Sequence, residues 1–238
     1  MSIIIGSARH DENGKYTGGK KGDQLQKKSN DTVGECSKQN FYIHSKGWFI
    51  LRPLDYRVAD RLAIAMNDLC DNSNVGYSQN CQRKTVDDIH TKTPINIDCS
   101  KGVRNCIYTA TGVDVGNFTT ANEVAVLEKS GLFNKHIAFK SLTQTPLQNG
   151  DVLVTKTKGH TVIVVSGGAK PITVTYYPKY TGKSSSFVDG LKAVGEKDTT
   201  LAHRKQIAKA NGIAVYNGAS SDNTKLLNLL KNGKLIRV

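Results

Sequence analysis

Gly150-Asp151-Val152-Leu153-Val154-Thr155-Lys156-Thr157-Lys158-Gly159-His160-Thr161-Val162-Ile163-Val164-Val165 is the stretch on which the reading of the fold turns. Its two runs of branched apolar residues, Asp151–Thr155 and Thr161–Val165, flank a lysine-rich turn, which is the pattern of a β-hairpin. Upstream of it the clear periodicity is helical. Val58, Leu62, Met66 and Leu69 recur every three or four residues behind Asp55, a suitable cap, and predict a helix ending before Asn72. A second helix is expected from Cys99 or Ser100, with Val103, Ile107 and Ala110 on one stripe and Gly112 at the left-handed position that closes it. A third is expected near Thr120, where Thr120-Ala121-Asn122-Glu123 reads as a capping box ahead of Val124 and Leu127. Helices first and sheet later give an α+β domain of about 165 residues.

Working outward, the first 50 residues are rich in Gly, Lys and Asn and show little periodicity. Within them Asn40–Leu51 has the aromatic and branched content of strands around a Lys46-Gly47 turn. Residues 71–98 are polar and read as loop. Past Val165, Gly167-Gly168-Ala169-Lys170-Pro171 reads as a domain edge and Tyr176–Ser186 as linker. Three short helices follow, marked by Phe187, Val188, Leu191 and Val194, by Leu201, Ile207 and Ala208, and by Leu226, Leu227, Leu229 and Leu230. The expected organisation is a catalytic-sized domain over residues 1–168, a linker over 169–183 and a small helical module over 184–238, near the lower size limit for independent folding.

The chain has 238 residues, with 33 Lys+Arg against 20 Asp+Glu and a formal net charge of +13. A surplus of that size points to a polyanionic partner: nucleic acid, anionic lipid or an anionic wall polymer. Residues 179–238 hold 11 basic and 4 acidic side chains, so the short C-terminal part is the more basic per residue. No apolar run is long enough for a membrane helix, and the N-terminus lacks the basic start and apolar core of a signal peptide, so a soluble cytoplasmic product is expected. The five cysteines are odd in number and form no CxxC pair, which argues against a disulfide framework or a zinc knuckle.

The local signal for chemistry is Asp98-Cys99-Ser100 at a helix start. A helix N-terminus favours a thiolate, with Lys101 and Arg104 adding positive potential, and Asp98 is expected to cap the helix. His160 at the head of the second hairpin strand is the natural base, since cysteine on a helix start followed by histidine on a later strand is the chain order of papain-like hydrolases. On composition alone Cys99 reads equally as a small buried apolar residue and His160 as a turn residue. His10, His44, His90, His136 and His203 form no HxH or HExxH pattern, and the remaining cysteines read as core or surface thiols, so no metal site and no cofactor are expected.

Four ordered motifs extend the argument: Val75-Gly76-Tyr77-Ser78, Asp98-Cys99-Ser100, Gly150-Asp151-Val152-Leu153-Val154 and Gly159-His160-Thr161-Val162. Together they resemble the NlpC-type papain-like peptidoglycan hydrolases, and especially the phage endolysin amidases among them. The segments Ile5–Arg9, Asp11–Gly14, Gly22–Gln24 and Trp48–Pro53 are similar to the leader of clostridial-type phage lysins, so the resemblance spans most of residues 1–168. It implies helices packed on an antiparallel sheet, with Cys99 as nucleophile, His160 as general base and Tyr77 beside the oxyanion. The third, histidine-orienting residue should lie about a dozen residues past His160. That region, Pro171-Ile172-Thr173-Val174-Thr175, offers only Thr173 or Thr175, so the N-terminal segment is the alternative source, with Asp11, Glu12, Asp23 and Gln24 as candidates.

The resemblance implies an endolysin that accumulates in a host cytoplasm and acts at the bacterial wall. It would cut an amide in or next to the stem peptide through a thioester, as an N-acetylmuramoyl-L-alanine amidase or an endopeptidase. The C-terminal part resembles small wall-binding modules, and Tyr176, Tyr177, Tyr180 and Tyr216, if exposed, would stack on sugar rings. The expected partners are peptidoglycan and its anionic polymers, without nucleic acid or membrane insertion. Two rivals remain at this stage: a basic nucleic-acid-binding protein, and a wall-binding protein without catalysis.

Overall fold

The computed structural model describes residues 2–25, 32–168, 175–213 and 215–238. The chain divides into two compact units, Met1–Pro171 and Ile172–Val238. Among the described residues the elements run in the order β1 (Ile4–Ala8), β2 (Cys36–Asn40), β3 (Trp48–Leu51), α1 (Tyr56–Asp71), β4 (Val75–Tyr77), β5 (Ile95–Ile97), α2 (Cys99–Thr111), α3 (Glu123–Lys129), β6 (Ile137–Ala138), β7 (Val152–Thr155) and β8 (Thr161–Ser166) in the first unit. The second unit holds α4 (Phe187–Ala193), α5 (Leu201–Ala210) and α6 (Ser220–Lys231).

The hairpin is the centre of the first unit. β7 and β8 pair antiparallel, Leu153 opposite Val162, and every residue of β7 is buried. The sheet extends from them in the order β2-β1-β8-β7-β3-β6, with every pairing antiparallel. Alternate residues serve opposite faces. Val152, Val154 and Ile163 meet Leu62, Met66 and Leu69 of α1 and Val103 and Ile107 of α2 in the larger core. Leu153, Val162 and Val164 join Ile5, Trp48 and Ile50 in a second cluster capped by Phe139 and Leu147. A sheet buried on both faces explains why its central strands read as continuous apolar runs.

The helix expectations hold with instructive exceptions. Asp55 caps α1 by accepting from the Arg57 N–H, and the four periodic residues are buried. Asp98 caps α2 by accepting from the Lys101 N–H at 2.9 Å, and Gly112 closes it at φ +73°. The capping box near Thr120 does not form: Asn122 precedes the helix without a side-chain cap, and Glu123 turns inward. Strands are where periodicity misses. β1 carries Gly6 and Ser7 in five residues, so its strand propensity is weak, yet it lies inside the sheet between β2 and β8. Gly6 is required there because a Cβ would sit 2.7 Å from Met66 of α1. The Lys46-Gly47 turn forms, but the strand before it is β2, which pairs with β1 and not with β3. Inside the presumed loop 71–98, β4 and β5 form a parallel pair of three residues each.

The second unit packs its three helices around Phe187, Leu191, Ile207, Leu226, Leu227 and Leu230. Tyr177, Tyr180 and Tyr216, expected to be exposed for sugar stacking, are buried in this same core, and only Tyr176 of the four is exposed. Aromatic rings bury more area than any other side chains, and a unit this small needs them inside. The Tyr177 hydroxyl donates to Glu196 Oε2 at 2.7 Å, which satisfies its polar end. Among the described residues, no helix is long and apolar enough to cross a membrane.

Gly76 of β4 tests the seating of the N-terminal segment. A Cβ there would lie 2.2 Å from the Gly22 carbonyl oxygen, a backbone atom that no rotamer change can move aside. Gly76→Ala is expected to cost at least the ~1–3 kcal/mol typical of overpacking, read as a lower urea midpoint at unchanged m-value.

Candidate active site

α2 begins at Cys99, and its thiol faces the head of β8. That strand end is fastened from three directions. Thr155 Oγ1 accepts from the His160 N–H at 2.9 Å, and Thr120 Oγ1 accepts from the Gly159 N–H at 3.1 Å. The Thr161 hydroxyl donates to Glu123 Oε1 at 2.7 Å. The imidazole therefore projects from a backbone with little freedom. On its far side Ser7 of β1 places Oγ 3.1 Å from His160 Nε2.

Cys99 and His160 line one cleft of about 660 Å³, together with Tyr77, Gln79, Arg9 and Gln39 among others. Tyr77 is almost fully buried on β4, and its hydroxyl oxygen accepts from Gln79 Nε2 at 3.2 Å, which leaves its own proton available to donate. The buried carboxylate of Glu35 ties this side of the cleft to the N-terminal segment. It accepts from the Tyr77 N–H at 2.7 Å and from the Gln24 N–H at 3.0 Å.

Burial dominates the electrostatics. It pushes the Cys99 thiol up to about 11, with Glu123 adding to the rise and the Thr161 N–H and Ser100 opposing it. Burial, then His44 and Arg9, hold the imidazole of His160 down to about 4. At neutral pH a thiol and a neutral imidazole line the cleft, in place of the thiolate expected at the helix start. The positive residues invoked for that thiolate are engaged elsewhere. Lys101 pairs with Asp87 at 2.6 Å, and Arg104 pairs with Asp114 at 2.7 Å. Asp98 pairs with Arg83 besides capping the helix.

The candidates for orienting His160 fall elsewhere. Asp11 Oδ1 accepts from the Asn13 and Lys15 N–H groups and shapes a turn. Glu12 accepts from the Lys20 N–H, Asp23 from the Leu25 N–H, and Gln24 donates to the Lys21 and Gly22 carbonyls. Thr173 lies outside the described residues. The Thr175 carbonyl accepts from the Arg237 N–H within the second unit. The side chain that meets the imidazole is instead Ser7, which is none of these candidates. A hydroxyl in a stretch without periodicity carries no signal of its own in the sequence.

Glu123 was read as a cap and is instead a fully buried carboxyl at the base of the site. Burial pushes it up to about 8 against the pull of the Thr161 and Ser100 hydroxyls, so it carries its proton at neutral pH. Among the described residues, no group of three or more His, Cys, Asp or Glu side chains is placed to hold a metal ion. Because the folded state holds the Glu123 proton more tightly than the unfolded chain, its stabilising contribution is complete below about 4.5 and is lost as pH rises through about 8. Melting temperatures are expected to fall between pH 5 and pH 9 more steeply in the wild type than in Glu123→Gln, whose neutral side chain does not titrate.

No curated protein and no solved structure matches the chain. One family does match, and its reach is the unit that holds the cleft: the model of the endolysin-like domain covers residues 5–171, from β1, which carries Ser7, past β8, which follows His160. The chain belongs to the endolysin-like domain family.

Proposed function

We propose that the first unit is a papain-like cysteine hydrolase of peptidoglycan, cutting an amide in or next to the stem peptide. The observation that carries this reading is the convergence of Cys99, His160 and Tyr77 on one cleft in a chain of an endolysin-like family. With the Nε2 proton of His160 donated to Ser7 Oγ, the Nδ1 lone pair is left for the thiol. Cys99 Sγ attacks the amide carbonyl carbon as His160 takes the thiol proton, so no free thiolate has to persist in a buried site. The Tyr77 hydroxyl donates to the oxyanion that develops. Collapse of the tetrahedral species expels the amine, which leaves with the proton from His160. Water then attacks the thioester, delivers a proton through His160 and releases the carboxylic acid with the thiol restored.

The second unit fits a wall-binding role through charge and not through ring stacking. Its lysines 179, 183, 192, 197, 205, 209, 225 and 234 are all exposed, a cationic surface suited to anionic wall polymers. Nucleic acid binding is favoured by the same charge and leaves the cleft unexplained.

Turbidity clearing of purified Gram-positive walls tests the assignment. Cys99→Ala and His160→Ala are expected to abolish clearing, and clearing that survives Cys99→Ala overturns the mechanism. Mass spectrometry of the released fragments separates the two bonds, since an amidase exposes the L-alanine amine and an endopeptidase cuts the stem.

The pH profile carries a second signature. Activity is expected to lack the usual histidine limb near 6.5 and to persist until His160 gains its proton near pH 4. It should decline above about 8, where Glu123 ionises beside Cys99, and Glu123→Gln should remove that alkaline limb. Ser7→Ala is expected to lower kcat about 10- to 100-fold with little change in KM. That is less than the ~10⁴ lost when a triad carboxylate is replaced, because a hydroxyl orients the ring without a charge.

A further inference from the structure

We infer that Glu123 is a positioning residue: it fixes the donors that face the Cys99 sulfur and the strand end that carries His160. The inference rests on the hydrolase reading of the same cleft. Thr161, which follows His160, is one half of the link. Its hydroxyl donates to Glu123 Oε1 at 2.7 Å, and its N–H faces the Cys99 sulfur. Ser100, which follows Cys99, is the other half. Its N–H and its hydroxyl act on that sulfur, and the same hydroxyl acts on the Glu123 carboxyl. One buried side chain therefore reaches the residue after the nucleophile and the residue after the base. Thr120, three places earlier in the chain, accepts from the Gly159 N–H at 3.1 Å. The short run that leads into α3 thus grips the residues on either side of His160.

An acid in this place needs a reason. Glu123 is fully buried, and among the described residues it forms no ion pair, whereas buried Asp151 meets Arg52 at 2.8 Å. Its Oε2 atom is buried and has no hydrogen-bond partner among the described residues. An unpaired polar atom in a core is destabilising, and an apolar side chain would fill the space without that penalty. Leu127, one turn further along α3, is such a residue in the same core. What an apolar side chain could not do is accept the Thr161 hydroxyl. With Thr161 and Ser100 held, the Thr161 N–H, the Ser100 N–H and the Ser100 hydroxyl stay aimed at Sγ while attack redistributes its charge. The sulfur also keeps its approach to the imidazole, on which proton transfer depends.

Alkylation of Cys99 by iodoacetamide in the full-length protein tests the inference without a wall substrate. Peptide mass spectrometry reads each thiol separately: Cys81 is partly exposed, and Cys36, Cys70 and Cys106 are buried. Glu123→Ala is expected to slow alkylation of Cys99 about 10- to 100-fold, the cost of a small misplacement in a site. Cys81 should keep its rate, and the buried thiols should stay unmodified, which a general loosening of the unit would not allow. Glu123→Gln, whose amide oxygen still accepts from Thr161, should restore most of the lost rate. Thr161→Val removes the hydroxyl and keeps the N–H. It should slow Cys99 alone and add little to Glu123→Ala in the double variant. An unchanged Cys99 rate in Glu123→Ala overturns the inference, as does a Glu123→Gln rate as low as that of the alanine variant. Where Glu123→Ala exposes the buried thiols, Thr161→Val decides: a Cys99 rate equal to the wild type removes Glu123 from the positioning of the pair. Wall clearing keeps the two readings apart. Slowed alkylation in a protein that never clears walls defeats the hydrolase reading alone, and clearing by Glu123→Ala at the wild-type rate defeats the positioning role alone.

Discussion

The pairing of β1 with β8 is the contact on which the site depends. It joins residues about 160 positions apart, Gly6 opposite Ile163 and Ile5 opposite Val164. Closing so long a loop is costly in entropy, though the cost grows only logarithmically with length. The return comes from burial on both faces of the sheet, with Ile5 in one cluster and Ala8 in the other. Once the ladder forms, Ser7 reaches His160 and Arg9 enters the cleft without further cost in chain ordering. The Glu35 carboxylate then fixes the next turn of the N-terminal segment to β4, beside Tyr77. A stretch that looks featureless as sequence is thus the wall that completes the cleft.

Burial sets the chemistry as firmly as the ladder sets the geometry. A helix N-terminus stabilises a thiolate by a few tenths to about 1 kcal/mol at exposed positions. Desolvation acts against any charge in the same place, and for Cys99, His160 and Glu123 it is the largest influence on each. All three are neutral at neutral pH, so the thiol, the imidazole and the buried acid rest uncharged. In the proposed mechanism that state suits a nucleophile that gives up its proton only as the carbon–sulfur bond forms. It also makes Glu123 more than a structural acid, because ionising it introduces a charge that the surrounding apolar core cannot screen.

The helices and the hairpin were legible because burial on one face writes a period into the sequence. Leu62, Met66 and Leu69 of α1 and the alternating faces of β7 and β8 are examples. The placement of Cys99 at a helix start and of His160 at the head of a strand was legible because their motifs stand at element starts. The remainder was written in single residues. Ser7 and Gly6 weaken the strand they occupy, one to meet His160 and the other to admit Met66. Glu123 matched a surface cap so well that its burial was invisible, since the same residue satisfies either pattern. The tyrosines of the second unit failed in the opposite direction: a ring that suits sugar stacking suits a small core equally, and the core took three of the four.

Ser7 meets His160 from the far end of the chain. An orienting group must lie beside the histidine in space, on whichever strand flanks the one that carries it. In this sheet the neighbours of β8 are β7 and β1. Among the described residues, the hydroxyl that meets His160 Nε2 is that of Ser7 on β1, at the start of the chain. Adjacency in the sheet, and not distance along the chain, decides which residue can hold the imidazole.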